Sequence, residues 1–418
     1  MNKRVIILLL LISILMIVLS GCGNQNQTEQ TQTSSENLLE TETDWETILK
    51  EAEGQTVNFH MWGGDERYNR YIDEFIAPKL KESTGVVLNR VAIQDTKDVM
   101  NKLNNEKSAN KTDGTVDIIW INGENFKLAK ENELLWGSFA SQLPNVNQYV
   151  DINAPDIQFD FGQNTEGYEV PWGKAQFVFI YDESNITHPP TSFEELGEWM
   201  EENPGKFTYP APPDFTGSAF VRQALYETTG GYEQYLEPVN DIEQDFTPLW
   251  NYLNEIEPNL WRNGETYPES LAKLDQLFSS GEVWMTMAYD PGKASSHIEQ
   301  GLFPDTTRTF VLDGGTISNT HYLSIPYNSN HQAGAMVAIN YLLSPEAQLA
   351  KMDPEHWGEG MALDPSKLDD VDQKKLEELD LGIATLPAEQ LAEFKVPEIP
   401  ANYVKVLEEG WFEYVAKR

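Results

Sequence analysis

Apolar and polar positions along the chain alternate between two rhythms. Thr56 to Met61 reads as a strand, and Trp62-Gly63-Gly64-Asp65 then turns the chain. Tyr68, Tyr71, Ile72, Phe75, Ile76 and Leu80 follow at helical spacing on one face, with Pro78 expected to kink or shift that helix and Gly85 to end it. Val86 to Ile93 is a second strand, Asp95 opens a helix through Leu103, and Val116 to Ile121 is a third strand ending in Asn122-Gly123-Glu124-Asn125. A short helix, Trp45 to Ala52 with Asp44 as its cap, precedes the first strand. Strand–helix–strand–helix–strand predicts a mainly parallel sheet flanked by helices, an α/β fold.

A second α/β region starts near Trp172. Gln176 to Tyr181 is an apolar strand, and Ser192 with Glu195 forms a capping box for the next helix. Lys206 to Tyr209 reads as a short strand, and Thr216-Gly217-Ser218 leads into a helix from Ala219 to Thr229. Helices are predicted over Thr247 to Ile256, Pro268 to Ser279 and Ala333 to Leu343, with Ser344-Pro345 starting another. Gly281 to Tyr289, Phe310 to Leu312 and Tyr322 to Ile325 read as strands, and no solenoid or propeller repeat is present. Residues 361–400 are acidic and proline-punctuated, and helices packed on the second region are expected there.

The 418 residues carry 29 Lys and Arg against 67 Asp and Glu, a net charge of −38, which supplies no basic footprint for nucleic acid. One cysteine excludes a disulfide framework and any multi-cysteine metal site, and the six histidines are scattered. Lys3 and Arg4 precede an apolar run, Val5 to Leu19, interrupted only by Ser13, of the length of a signal-peptide core. Leu19-Ser20-Gly21-Cys22 resembles the bacterial lipoprotein box, so residues 1–21 are expected to be a signal peptide and Cys22 the lipidated mature terminus. Residues 22–43 are polar and expected to be a flexible tether to the outer face of the cell membrane.

The order of elements, together with Trp62 to Asp65, Val116 to Asn125, Phe177 to Asp182, Pro189 to Leu196, Gly281 to Ala288 and Ile325 to Asn330, resembles the extracellular solute-binding proteins of ABC importers, the larger two-lobed kind. The Trp-Gly-Gly-Asp turn and Asp113 to Phe126 are similar to a subgroup usually called YnjB-like. The resemblance implies a two-lobed periplasmic-binding-protein-like (type II) fold. It places lobe one at 45–172 plus 289–329 and lobe two at 173–288 plus 330–418, with crossovers near 172–175, 288–290 and 327–330. It also implies a small ligand between the lobes, an ABC permease and ATPase as partners, a monomer, and no enzymatic activity or cofactor.

Candidate ligand-binding residues lie at strand ends, where open α/β sheets place their ligands. Trp62, Gly63, Gly64 and Asp65 offer a ring, a close backbone and a carboxylate, while Asn122, Glu124 and Asn125 occupy the equivalent end two units on. Trp172 sits near the first crossover, Thr216, Gly217 and Ser218 at a helix start with free N–H groups, and Tyr289 and Asp290 after a further strand. Packing, capping and turn formation are the competing roles for each. The set contains no arginine, which favours a cationic or polar neutral organic ligand. The chain has no H-E-x-x-H, P-loop, G-x-S-x-G or EF-hand pattern. An exported hydrolase with an Asp/Glu pair and a sensory lipoprotein without a permease are the alternative functions.

Overall fold

A computed structural model describes residues 44–236 and 245–416. Residues 1–43, where a signal peptide, a lipidated Cys22 and a tether are expected, and residues 237–244 and 417–418 lie outside the described residues. In chain order the strands are β1 (Thr56–Trp62), β2 (Val87–Ile93), β3 (Ile118–Ile121), β4 (Phe159–Asp160), β5 (Gln163–Asn164) and β6 (Glu169–Gln176). They continue with β7 (Val178–Asp182), β8 (Met285–Ala288), β9 (Thr307–Phe310), β10 (Thr316–Ser324), β11 (Gly360–Met361) and β12 (Lys395–Pro397). The main sheet runs β11-β6-β10-β3-β1-β2, with β12 also on β10, and a second sheet runs β8-β7-β9.

Pairing of β1 with β2 and β3 is parallel, whereas β10 is antiparallel to both β3 and β6. The second sheet is antiparallel throughout. The expected mainly parallel sheets are therefore corrected to one mixed and one antiparallel sheet. The cause is long-range: β10 arrives from distant sequence and inserts beside β3.

Most local expectations hold. The helix over Trp45–Ala52 is present, although Asp44 makes no side-chain cap bond. Pro78 has no N–H to donate, and the helix before it slips into a widened turn, Tyr71–Ile76, in which Ala77 N–H reaches back to Ile72 O. Ser192 caps the helix Phe193–Glu202 by accepting from Glu195 N at 3.2 Å. The Glu195 carboxylate returns to Thr191 N at 2.8 Å, one residue earlier than in a standard capping box. Lys206 to Tyr209 joins no ladder, and its carbonyls instead accept from Trp284 N and Trp261 N at 2.8 Å each.

Apolar side chains gather into two large cores. The first unites β1, Trp172, Leu323, the helix Gln332–Leu342 and residues to Leu368. The second unites Phe177 to Val311, Ile317 and Ala384 to Val415. Apolar side chains of 330–368 pack with the first core and those of 294–312 with the second. The chain passes between cores along β6, along β10 and between Leu368 and Ala384. The two antiparallel strands β6 and β10 thus run through both bodies. Their register slips between His321 and Tyr322, where Trp172 is the extra residue of a bulge on β6.

Candidate functional site

The site grows out of the end of β1. A Cβ on Gly63 would lie 2.5 Å from the Ala92 Cβ, and one on Gly64 would lie 2.2 Å from the Trp62 ring, so this turn admits only glycine. Asp65 then caps the next helix by accepting from Arg67 N at 2.9 Å. The same carboxylate receives Arg67 Nε at 3.0 Å and Nη2 at 2.7 Å. Arg67 Nη2 also lies 3.1 Å from Asp290 Oδ2, and Nη1 donates to Trp357 O at 2.8 Å. Tyr68 Oη donates to Asp290 Oδ2 at 3.3 Å. Asp290 leaves the strand β8 of the second core, yet Arg67 and Tyr68 of the first core hold it. The seam between the bodies runs here.

Two acids on one guanidinium acquire different charges. Burial works against ionising Asp65, but the Arg67 guanidinium outweighs it and holds the carboxyl well below its usual range. For Asp290 burial prevails over Arg67, and its pKa is pushed up to about 6. Beneath the seam lies a second buried set, Lys351–Glu359–His321. Burial disfavours the Glu359 charge, yet Lys351 and His321 keep its pKa low. The carbonyl of the bulged Trp172 accepts from Gln348 Nε2 at 2.9 Å and from Lys351 Nζ.

Aromatic rings line the first-core side. Tyr68 stacks on Trp357 at 4.1 Å and meets Trp62 at 5.7 Å. Trp120 Nε1 donates to Asn122 Oδ1 at 3.1 Å, and Asn122 Nδ2 donates to Thr320 O at 2.6 Å. Beside Thr320, on the crossing strand β10, stands Asn319. It is 9 % exposed, and neither amide atom has a hydrogen-bond partner among the described residues. On the second-core side, Arg222 pairs with Glu398 at 2.8 Å and lies over the rings of Phe161 and Phe215. Tyr289 Oη donates to Glu398 Oε2 at 2.6 Å.

The structure therefore joins Trp62, Asp65, Asn122 and Asp290 through Arg67, Tyr68 and Trp120, and places Tyr289 beside Arg222. Glu124 and Asn125 stand half-buried in the first turn of the helix Gly123–Glu131, which packs on the helix Ala401–Tyr414 of the second core. Trp172 is fully buried in the first core, edge-on to Trp120 at 5.1 Å and Trp357 at 5.0 Å. The helix expected from Ala219 begins at Phe215, and Asp214 rather than Thr216 caps it. Asp214 accepts from Thr216 N and Gly217 N at 3.0 Å each, and Ser218 N is bonded to Asp214 O, so these three N–H groups are already engaged. Sequence reasoning missed Arg67, Arg222, His321, Glu359 and Asn319. A charged residue inside an otherwise apolar helix pattern, as at Arg222, was the available signal.

A family model described as bacterial extracellular solute-binding protein matches residues 76–361. The chain is also 38% identical over 372 residues to Protein YnjB of Escherichia coli strain K12, covering 88% of this chain and 93% of that protein. The chain belongs to the bacterial extracellular solute-binding protein family. Solved structures support the solute-binding-protein fold at low identity. A substrate-binding protein of an ABC transporter from Bradyrhizobium japonicum matches with a TM-score of 0.63 and 17% identity over 86% of this chain and 99% of that one. The spermidine/putrescine substrate-binding protein PotD of Streptococcus pneumoniae matches with a TM-score of 0.60 and 15% identity over 86% and 99%. Membership places the folded chain outside the cytoplasm. No described helix is long and apolar enough to cross a membrane.

Proposed function

We propose that this chain is the substrate-binding lipoprotein of an ABC importer, anchored through Cys22, which takes a small polar organic solute into the seam and hands the closed complex to a permease. Asn319 carries the reading. A buried amide with both polar atoms unpartnered costs about 1–3 kcal/mol, and a solute that satisfies them recovers it on binding. Trp62, Tyr68 and Trp120 form a run of rings on the first-core side. Closure is a population shift: the solute contacts both lobes only when they meet, so it favours the closed form by its differential affinity.

The presence of Arg67 changes the ligand class. Both seam aspartates already face a guanidinium, which removes the ground for a cationic preference and favours a polar neutral or zwitterionic solute. The hydrolase alternative draws on one observation, two seam carboxyls whose pKa values are pushed apart. Arg67 Nη2 lies between them at 2.7 and 3.1 Å and occupies the place a scissile bond needs. In the proposed function the chain makes and breaks no covalent bond.

A thermal-shift screen against sugars, amino acids, polyamines, thiamine-like cations and metals tests the reading. A true solute at 100-fold over Kd is expected to add about 3 kcal/mol of stability. The gain should disappear in Asn319→Ala. A solute that stabilises both proteins equally would remove the seam from its site.

A further inference from the structure

One residue outside the Arg67 cluster breaks a local rule. Strands β4 and β5 are joined by only two residues, Phe161 and Gly162, and both are left-handed, with φ of 44° and 76°. Two-residue hairpins of this kind favour Asn, Asp or Gly at the first position, because a Cβ is crowded there by its own backbone. Phe161 is a large ring held in a conformation that its type disfavours. It is also buried, although Phe159 of the same hairpin is 43 % exposed. Strain of this sort persists only where surrounding contacts over-determine it.

Those contacts come chiefly from the other body. The Phe161 ring packs in the second core, with the Arg222 guanidinium 5.6 Å from its centroid. Phe161 O accepts from Ala401 N, at the start of the helix Ala401–Tyr414, at 3.0 Å. Gly123 backs the ring from the other side: a Cβ there would lie 3.0 Å from it, and Gly123 N donates to Asp160 Oδ2 at 2.5 Å. The root of the hairpin lies elsewhere. Ile157 belongs to the first core, its carbonyl accepts from Tyr322 Oη at 3.1 Å, and Asp156 pairs with Lys174 at 3.0 Å. Between Ile157 and Phe161 the chain therefore leaves one core and enters the other. The strands β6 and β10 join the bodies covalently in any arrangement, whereas the hairpin tip is held by contacts alone. Its release strands no charge. Without the ring, Arg222 keeps Glu398 through Nε at 2.8 Å and Nη2 at 3.0 Å, and Ser218 Oγ through Nη1 at 2.8 Å.

We propose that the β4–β5 hairpin is a latch: it reaches out of the first body, seats Phe161 in the second to hold the two closed, and withdraws when they part. The proposal rests on the reading of the chain as a binding protein that opens and closes. The latch favours the closed form whether or not a solute is inside, so it raises apparent affinity by enlarging the fraction of chains that are closed. Relief of backbone strain in the withdrawn hairpin offsets part of the lost contact, which keeps the open form within reach.

The test is small-angle X-ray scattering of the full chain with no solute added, wild type against Phe161→Asn, each first shown to be folded by circular dichroism. Asparagine suits the left-handed turn and removes the ring, so the hairpin is kept and only its seat is lost. The expected result is a larger radius of gyration in Phe161→Asn, with Phe161→Leu, which keeps an apolar tip, lying between. An unchanged radius in folded Phe161→Asn overturns the proposal whatever the melting midpoint does, and makes Phe161 an ordinary core residue. Should Phe161→Asn fail to fold, Phe161→Leu is compared with the wild type on the same terms. No solute enters this measurement. A screen that finds no solute therefore fails the solute-binding reading alone, and an unmoved radius beside a solute that stabilises the wild type fails the latch alone.

Discussion

Asp65 and Asp290 show how little a residue's type says about its role. Both touch one guanidinium nitrogen, and burial decides which of them holds its charge. Asp290 has a raised folded pKa, so the folded chain binds its proton more tightly than the unfolded chain does. Its contribution is most favourable below the ordinary aspartate range and is lost as pH climbs through about 6. The full effect is on the order of 3 kcal/mol. Urea melts from pH 4 to 7 should show this loss in the wild type and a flatter profile in Asp290→Asn. Asp65 runs the other way, with stability present above the ordinary range and lost only in stronger acid. Asp65→Ala leaves buried Arg67 with a single carboxylate, so it is a stability mutation of about 3–5 kcal/mol, visible in a thermal melt. Asn319→Ala removes no internal bond. It should keep or raise the melting midpoint while lowering solute affinity by roughly tenfold or more, read by calorimetry.

At the scale of elements, the decisive feature is the bulge that β6 makes at Trp172. The extra residue turns the indole into the first core and leaves its carbonyl to Gln348 and Lys351. Gly173 follows because a side chain there has no room: its Cβ would lie 2.1 Å from Glu359 Oε2 and 2.4 Å from Lys351 Nζ, both fully buried. Gly173→Ala should therefore destabilise the chain by about 1–3 kcal/mol, measured by denaturant unfolding. Helix starts behave more simply. Ser192 and Ser344 each accept from the N–H three residues on, as their sequence positions suggest, and Ser270 does the same for a helix that begins at Leu271 rather than at the expected Pro268.

For the whole molecule, the question is how firmly the two bodies meet. At the seam the turn after Asp290 touches the segment after Trp357 backbone to backbone, and a Cβ on Gly292 would lie 2.1 Å from Gly358 O. Gly292→Ala puts a methyl group between the lobes without touching either core. It should enlarge the radius of gyration in solution scattering and weaken solute binding, with the unfolding midpoint little changed. A compact Gly292→Ala protein of unaltered affinity would show that the seam does not open along this line. The Arg67–Asp290 contact fits the same picture: when the lobes part, Arg67 keeps Asp65, so opening forfeits one partner and strands no charge.

The sequence by itself determined what depends on near neighbours. Period-two and helical spacing set out β1, β2, β3 and the helices between them, and the glycine turn at 63–64 and the strand end at Asn122 were legible as places where backbone comes close to something. The only cysteine, in a segment that resembles a lipoprotein box, pointed to export before any fold was considered. Tertiary structure alone decided what depends on distant partners. Arg67 meets Asp290, Trp120 meets Trp357 and Arg222 meets Glu398 across long stretches of chain, and such pairs leave no mark on local periodicity. The insertion of β10 made the sheet mixed, and Phe59, Trp120 and Trp357 close around Trp172. The physical reason is common to all of these: local pattern reports which face of an element is apolar, but which element covers that face, and which charges are then shut away from water, is settled only when the chain closes on itself.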